Sequence, residues 1–434
     1  MPREIGIGLL GLGTVGAAVA RTLHQRRDYL QRQLGRSFAV RRALVRDLGK
    51  DRDVPFGPEI LTTGPADVLD ADDIEIVVEL LGGVDPAHAY LRRAIEAGKH
   101  IVTANKEVMA AHGAELREQA AHRDLDLYFE ASVGGGIPLI GPFRQDLIAN
   151  EIGEVHAILN GTTNYILTEM AAGEKDYATA LAEAQALGYA EPDPTNDVEG
   201  HDAASKLAIL AALAFKCRIP VAAVYREGIT KLAAADFRYA AELGYAIKLL
   251  AIAKRRPAGV EVRVHPALVQ TDFLIGQVDG VFNAVRIDGD LLGRALFVGR
   301  GAGPEPTSSA VVADLIDLGH NIAAGAHNRI PIMVDRSINP LPMDDVLSRH
   351  YLRLWVTDRP GVLAQIGAIC GEEQISIASV LQKEVDEDAR RAELVLLTRE
   401  AVESSLRRAV ARIAELDVVS EVASVIRVED LTDE

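Results

Sequence analysis

Gly11-Leu12-Gly13-Thr14-Val15-Gly16 follows the uncharged apolar run Ile5–Leu10 and opens a helical pattern, so a G-x-G-x-x-G stands where a strand turns into a helix. The first glycine of such a turn permits the tight bend, and the second lets backbone approach a pyrophosphate. The third lets helix and strand pack closely, and the helix N-terminus faces the phosphates. Glycine-rich turns are common, and this one gains meaning from the strand before it and the helix after it. Gly11, Gly13 and Gly16 are therefore expected to hold a dinucleotide, with Thr14 and Val15 offering backbone contacts. The stretch Ile5–Ala20 superficially resembles a secretion signal, but five glycines interrupt it and Glu4 spoils the basic start.

The rest of the first third alternates short apolar runs with helical patterns, the signature of a parallel sheet flanked by helices. Strands are expected at Ile5–Leu10, Phe38–Val45, Ile74–Leu81 (IEIVVELL), His100–Ala104 and Leu125–Ala131, and helices at Val15–Leu34 and Pro86–Ala97. From about 140 to 300, Ala-rich helices mix with β-like runs such as Val260–Val264, and no topology is readable. After Tyr351 the pattern reads strand, helix, strand, charged turn (Glu384–Arg391), strand, helix, strand. That βαββαβ order is ferredoxin-like. The fold class expected is α/β, with a Rossmann-type nucleotide-binding domain over 1–135 completed by about 301–335. An α+β substrate and dimerisation domain over 136–300, a linker over 336–349 and a ferredoxin-like module over 350–434 follow.

Charge and cysteine usage narrow the setting. The net charge of −17 argues against nucleic acid or an anionic membrane as partner. No run reaches the ~20 apolar residues of a membrane span. Cys217 and Cys370 are far apart, have no metal-ligand spacing, and suit a reducing cytoplasm.

Three further segments carry chemistry. At the tip of the second strand, Arg46 is poised for a 2′-phosphate, while the adjacent Asp47 keeps an NAD reading open beside NADP. Thr103-Ala104-Asn105-Lys106-Glu107 closes a sheet strand at its carboxyl edge, where open α/β sheets bind ligands. The densest block runs from Gly188 to Lys206, GYAEPDPTNDVEGHDAASK, in which prolines stiffen an acid-rich loop before a helix begins. Asp202 and Lys206 are i and i+4 on that helix and share a face. Such acids suit a substrate ammonium group, and a carbonyl under reduction wants a nearby lysine as proton donor.

Taken together these motifs resemble homoserine dehydrogenase in its long bacterial form with a C-terminal ACT domain. The likeness spans essentially the whole chain: GLGTVG, ELLGG at Glu79–Gly83, TANKE at Thr103–Glu107 and EASVGGGIP at Glu130–Pro138. It continues through LNGTTNYIL at Leu159–Leu167, the 188–206 block, LGYAIKLL at Leu243–Leu250 and GRGAGPEPTSSAVVADL at Gly299–Leu315. The resemblance implies NAD(P)-dependent interconversion of L-homoserine and L-aspartate 4-semialdehyde, the branch step toward threonine, methionine and isoleucine. It implies Lys206 as proton donor and acceptor, Lys106 beside it, and Glu191, Asp197 and Asp202 as holders of substrate. Gly82, Thr103, Lys106 and Gly303 would meet the cofactor. Glu130, with the carbonyls of Val133, Gly135 and Ile137, would hold a monovalent cation, sodium by expectation. A homodimer or homotetramer is expected. Threonine is the expected effector at the ACT domain, whose Asp358-Arg359-Pro360-Gly361 turn leads into a helix. Cutting the chain after about Asp335 is then expected to leave an active enzyme blind to threonine. The alternative is a non-catalytic sensor of nucleotide and amino acid, which the complete lysine and carboxylate set disfavours.

Overall fold

The first apolar runs become the middle of a six-stranded parallel sheet in the computed structural model, which describes residues 4–173, 175–329, 331–332, 334–386 and 391–430. In chain order the elements are β1 (Ile5–Leu10), α1 (Thr14–Gln25), α2 (Arg27–Leu34), β2 (Phe38–Leu44), β3 (Leu61–Thr62), α3 (Ala66–Leu69) and β4 (Ile76–Glu79). Then come α4 (Ala87–Glu96), β5 (His100–Thr103), α5 (Lys106–Ala121), β6 (Leu127–Tyr128) and α6 (Ile140–Arg144). The sheet order is β3-β2-β1-β4-β5-β6, the doubly wound arrangement that places ligands beyond the strands' carboxyl ends. Every residue of β1 is buried, as in a strand covered on both faces. Part of the cover comes from far along the chain: Val311, Leu315 and Leu318 of helix Pro304–Ala324 share a core with Ile7, Val19 and Leu23. This compact unit comprises Met1–Gly153, Ser205–Val221 and Ile287–Ile338.

Boundaries moved where tertiary hydrogen bonds overrode pattern. The helix expected over Val15–Leu34 is two helices, divided at Arg26 (φ −102°, ψ 13°). Of the run Ile74–Leu81 only Ile76–Glu79 is strand, and of Leu125–Ala131 only Leu127–Tyr128. Beyond Tyr128 the chain turns at once, and the Ser132 hydroxyl and amide both donate to the Phe129 carbonyl.

The second unit comprises Glu154–Ala204, Ala222–Arg286 and Asn339–Glu434. At its centre, strands Tyr245–Arg256 and Gly259–Gln270 pair antiparallel over twelve residues each. The βαββαβ order of the C-terminal module is present: strands Leu347–Thr357, Ile377–Asp386, Arg391–Thr398 and Val419–Glu429, with helices Val362–Glu372 and Glu403–Ala414. The expected charged turn lies partly at 387–390, outside the described residues. The module's last strand pairs parallel with Gly259–Gln270, Ala267 opposite Arg427, so the central sheet runs on into the module. Within the stretch read as a linker, the Asn339 carbonyl accepts from Val260 N, and Leu341 N donates to the Val260 carbonyl.

Buried charge occupies this seam. Arg263, 2% exposed, donates to Glu261 (2.6 Å) and to Glu429, and Lys254 donates to Glu429 at 2.9 Å. Arg427 donates to Glu227 (3.0 Å) and Glu403 (2.5 Å). Arg353 donates to Asp236 and Glu393, each at 2.7 Å, and the Tyr239 hydroxyl donates to Glu393 at 2.6 Å. Charges this deep persist because each has a hydrogen-bonded counter-charge.

Candidate active site

The glycine turn divides into two kinds of glycine. Gly11 has φ +101°, and a Cβ there would stand 2.9 Å from the Leu80 carbonyl oxygen; at Gly16 it would stand 2.4 Å from that of Gly11. A Cβ on Gly13 would meet nothing within 4 Å. Two glycines are thus required by packing, and the middle one faces open space, as close approach of a pyrophosphate requires. No side chain caps the N-terminus of α1 and no acid occupies its first turn, which leaves its amides to an anion. The residues present fit a dinucleotide. Beyond β2, Arg46 is exposed, while the Asp47 carboxylate accepts from Gly49 N at 2.8 Å within its own turn.

At the carboxyl edge of β4 and β5 one carboxylate organises the loops. Glu79 is fully buried and accepts from the Thr103 hydroxyl (2.6 Å), Leu81 N (2.7 Å) and Asn105 Nδ2 (3.3 Å). Burial pushes its carboxyl above the usual range, against the pull of those hydrogen bonds. Asn105 also donates to the Gly83 carbonyl (2.7 Å), and its Oδ1 caps α5 by accepting from Val108 N (3.1 Å). Loop and helix start are thereby fixed together, with Lys106 as the first residue of α5. A cavity of about 350 Å³ lies at this edge, lined by Val15, Gly82, Lys106, Gly135 and Lys206 among others. Thr103 is fully buried with its hydroxyl turned to Glu79, so it can offer a ligand only backbone. Gly303, φ +121°, caps helix Pro304–Ala324 next to Gly301 and Ala302, which line the cavity.

The Glu130 segment has a different economy. Its carboxylate accepts from Leu139 N (2.6 Å), Ile140 N (2.9 Å) and Gly141 N (2.6 Å), at the N-terminus of α6. Its own amide donates to Asp314 at 2.8 Å. Asp314 is held well above the usual carboxyl range by burial and then by the Glu130 charge. Three backbone amides thus engage the Glu130 side chain, and residue 130 can also offer a cation its carbonyl, which accepts from Val133 N at 3.4 Å. Gly134 and Gly135 (φ +75° and +58°) then turn the chain between Val133 and Ile137. An all-carbonyl donor set in a glycine turn fits a hard monovalent ion.

In the second unit the acid-rich loop sorts itself. Asp193 accepts from the amide and hydroxyl of Thr195, and Glu199 from the Thr230 hydroxyl. Glu191 is exposed. Asp197 and Asp202 are gathered by one side chain: Asn160 Nδ2 donates to Asp197 at 2.7 Å and to Asp202 at 2.9 Å, while its Oδ1 accepts from Thr163 N at 2.8 Å. Asp202 is buried and lies one turn before Lys206 on helix His201–Ala214. Sequence reasoning missed Asn160, Glu79 and Asn105 as organisers. Only Glu79 gave a signal, as an acid inside an apolar run.

A doubly wound parallel sheet, a phosphate-ready glycine turn and a lysine-lined cavity at the carboxyl edge define a nicotinamide-dinucleotide oxidoreductase. Comparison with known proteins makes the assignment specific. Residues 11–130 match the NAD-binding domain of homoserine dehydrogenase, residues 138–316 match homoserine dehydrogenase, and 350–415 match the ACT domain. The chain is 43% identical to the homoserine dehydrogenase of Neisseria gonorrhoeae over 99% of its own length and 100% of that protein's. It is 42% identical to that of Corynebacterium glutamicum over 98% and 96%. The crystal structure of a homoserine dehydrogenase from Thiobacillus denitrificans superposes with a TM-score of 0.93 at 45% identity, covering 98% of each chain. A hyperthermophilic archaeal homoserine dehydrogenase in complex with NADPH superposes with a TM-score of 0.61 at 27% identity, covering 73% of this chain and 97% of that one. The chain belongs to the homoserine dehydrogenase family. It is an NAD(P)-dependent oxidoreductase interconverting L-homoserine and L-aspartate 4-semialdehyde, and the non-catalytic alternative falls away. Among the described residues no helix is long and apolar enough to cross a membrane.

Proposed function

We propose that Lys206 exchanges the proton with the substrate oxygen, that Lys106 assists it, and that Glu191, Asp197 and Asp202 hold the substrate ammonium group. The observation that carries this is the lining of one cavity by Lys206 and Lys106 at the sheet edge where the nicotinamide is expected. When bound, the nicotinamide supplies hydride to the aldehyde carbon or takes it from the alcohol. Lys206 delivers a proton to the aldehyde oxygen in one direction and removes it from the hydroxyl in the other. Gly11, Gly13, Gly16 and the first-turn amides at Thr14 and Val15 hold the pyrophosphate, while Gly82, Lys106, Gly303 and the backbone at Thr103 border the nicotinamide end. Oxidation of NADPH on addition of aspartate semialdehyde reads the whole reaction.

Asn160 is the positioning residue for the two acids. In Asn160→Leu, Asp197 and Asp202 lose their shared donor, and KM for homoserine is expected to rise about tenfold, with a smaller fall in kcat. The Asn160→Gln variant should recover part of the loss. An unchanged KM in the leucine variant would remove Asn160 from substrate positioning.

NADP is the preferred cofactor in this reading, because Arg46 is exposed at the tip of β2 while Asp47 is engaged by its own turn. The NADPH complex of the archaeal relative is in keeping with it. Arg46→Ala is expected to weaken NADPH about ten- to a hundred-fold and NADH far less, as for loss of a charge-assisted hydrogen bond. Equal weakening of both would show that Arg46 does not read the 2′-phosphate.

Sodium is held by the carbonyls of Glu130, Val133, Gly135 and Ile137. Rates that do not differ between sodium and a large organic cation would remove it. Threonine binds the ACT domain, where Gly361 (φ +90°) ends the Asp358–Gly361 turn and opens helix Val362–Glu372. The chain works in the cytoplasm, in keeping with only two cysteines, both buried and far apart in sequence, and as a homodimer or homotetramer, which sedimentation would distinguish from a monomer.

A further inference from the structure

Helices α4 and α5 pack together. Their facing sides bring His88, from the first turn of α4, to His112 and Glu115, one turn apart on α5. The two imidazoles lie face to face with centroids 3.9 Å apart and planes at 10°. Glu115 Oε2 stands 3.8 Å from His112 Nδ1. One donor atom from each of the three residues lies within 4.8 Å of the others. The Nε2 of His88 is hidden from solvent and has no hydrogen-bond partner among the described residues. A hidden ring nitrogen with nothing to bind is costly, and nothing in the dehydrogenase reaction uses it.

We propose that His88, His112 and Glu115 form a binding site for a divalent transition-metal ion of borderline softness, zinc being the reference case. Two imidazoles and a carboxylate, with water in the fourth position, are a ligand set such ions favour. Zinc bonds of ~2.0–2.2 Å require the donors to close to roughly 3.3 Å from one another, so each side chain moves inward by about an ångström. The rings must also leave their parallel stack, because lone pairs in parallel planes do not converge. Terminal torsions of His and Glu are broad, and such turns are cheap. The nearby Glu115 and Asp85 carboxylates draw a cation to this place, and Arg92 opposes it.

A second histidine cluster shows what disqualifies a site. In His100–Asp126–His327, Asp126 N donates to His100 Nδ1 at 3.1 Å, which fixes the ring proton on Nε2. Both Asp126 carboxylate oxygens are also taken, by Asn321 Nδ2 (3.1 Å) and Asn328 N (2.7 Å). At the α4–α5 site, among the described residues, no such bond occupies the His88 Nε2. The loop before α4 and the first residue of α5 line the cavity through Gly82, Gly83 and Lys106, so a bound ion pins together the two helices whose starts shape it.

The test titrates chelator-stripped full-length protein with zinc chloride alone, by calorimetry and by metal analysis after gel filtration. One ion per chain and a raised unfolding temperature are expected, since a ligand of the folded state stabilises it. His112→Ala should abolish that ion, and Glu115→Gln should weaken it about tenfold or more, while dehydrogenase activity without zinc persists in both. His327→Ala should leave it unchanged. Cobalt should give the visible absorption of a four-coordinate site in wild type and lose it in His88→Gln, a second reading if the alanine variant does not fold. No uptake at millimolar zinc, or equal uptake in wild type, His88→Gln and Glu115→Gln, would overturn the proposal.

Discussion

Lys206→Ala is expected to lower kcat by ~10²–10⁴, the usual contribution of a positioned general acid–base group. KM for NADPH should move far less than kcat, because the pyrophosphate is held by the glycine turn and the first-turn amides of α1 and not by Lys206. The lysine must arrive protonated to reduce the aldehyde and deprotonated to oxidise the alcohol. The alanine variant should therefore lose rate in both directions. Lys106→Ala should cost less, since Lys106 lines the same cavity without being the assigned donor. Near-normal turnover in Lys206→Ala would take that residue out of the mechanism.

The second large effect concerns the seam between the central sheet and the ACT module. Deletion after about Asp335 removes Glu429, Glu403 and Arg427, and also Arg353 and Glu393. Arg263 and Lys254 then lose Glu429 and keep only Glu261 and the more distant Glu154, and Asp236 loses Arg353. Breaking a buried pair costs up to ~3–5 kcal/mol where the remaining charge stays buried, and the cut also strips strand Gly259–Gln270 of its pairing with Val419–Glu429, against the ~5–15 kcal/mol that stabilises a whole domain. The short chain is therefore expected to be insoluble or inactive, and not the active, threonine-blind enzyme that sequence reasoning suggests. Threonine inhibition is better sought in the full chain with substitutions at the Asp358–Gly361 turn. A folded, active truncated chain would refute the seam's importance.

The same seam sets acid stability. His265 donates through Nδ1 to the Pro266 carbonyl, while its Nε2 accepts from Arg263 at 3.1 Å. Burial, with Arg427 and Arg263 nearby, pushes its pKa down to about 3. His156 is lowered by burial too. Below pH ~6.5 the unfolded chain takes up protons that the folded chain refuses, at about 1.4 kcal/mol per pH unit for each group. Stability should therefore start falling near pH 6.5 and go on falling toward pH 3. Glu429, held well below its usual range by Arg263 and Lys254 despite burial, adds a loss that begins lower, near pH 4.5. Denaturant midpoints flat from pH 6.5 to 5 would contradict this.

What could be read from residues alone follows the range of the interactions. The glycine turn, the parallel sheet and the βαββαβ order are written in contiguous residues, and pattern found them. Lys206 and Asp202 are one helical turn apart and so were visible as a pair. Asn160 was not, because its two acids lie 37 and 42 residues away. The seam was less visible still: Arg263 and Lys254 meet Glu429 across 166 and 175 residues. In sequence those charges look like the wet face of a strand. Glu79 was in plain view inside IEIVVELL, where its burial was implied by its apolar neighbours and its partners were not.

The glycine turn also carries a record that can be read across descent. Gly11 and Gly16 are demanded by the polypeptide itself, whatever the protein does, whereas the space beside Gly13 matters only while a dinucleotide uses it. A lineage that abandoned the chemistry and kept the fold would be free to drift at position 13 long before 11 or 16. The middle glycine is thus the place to look when sorting working relatives from silent ones.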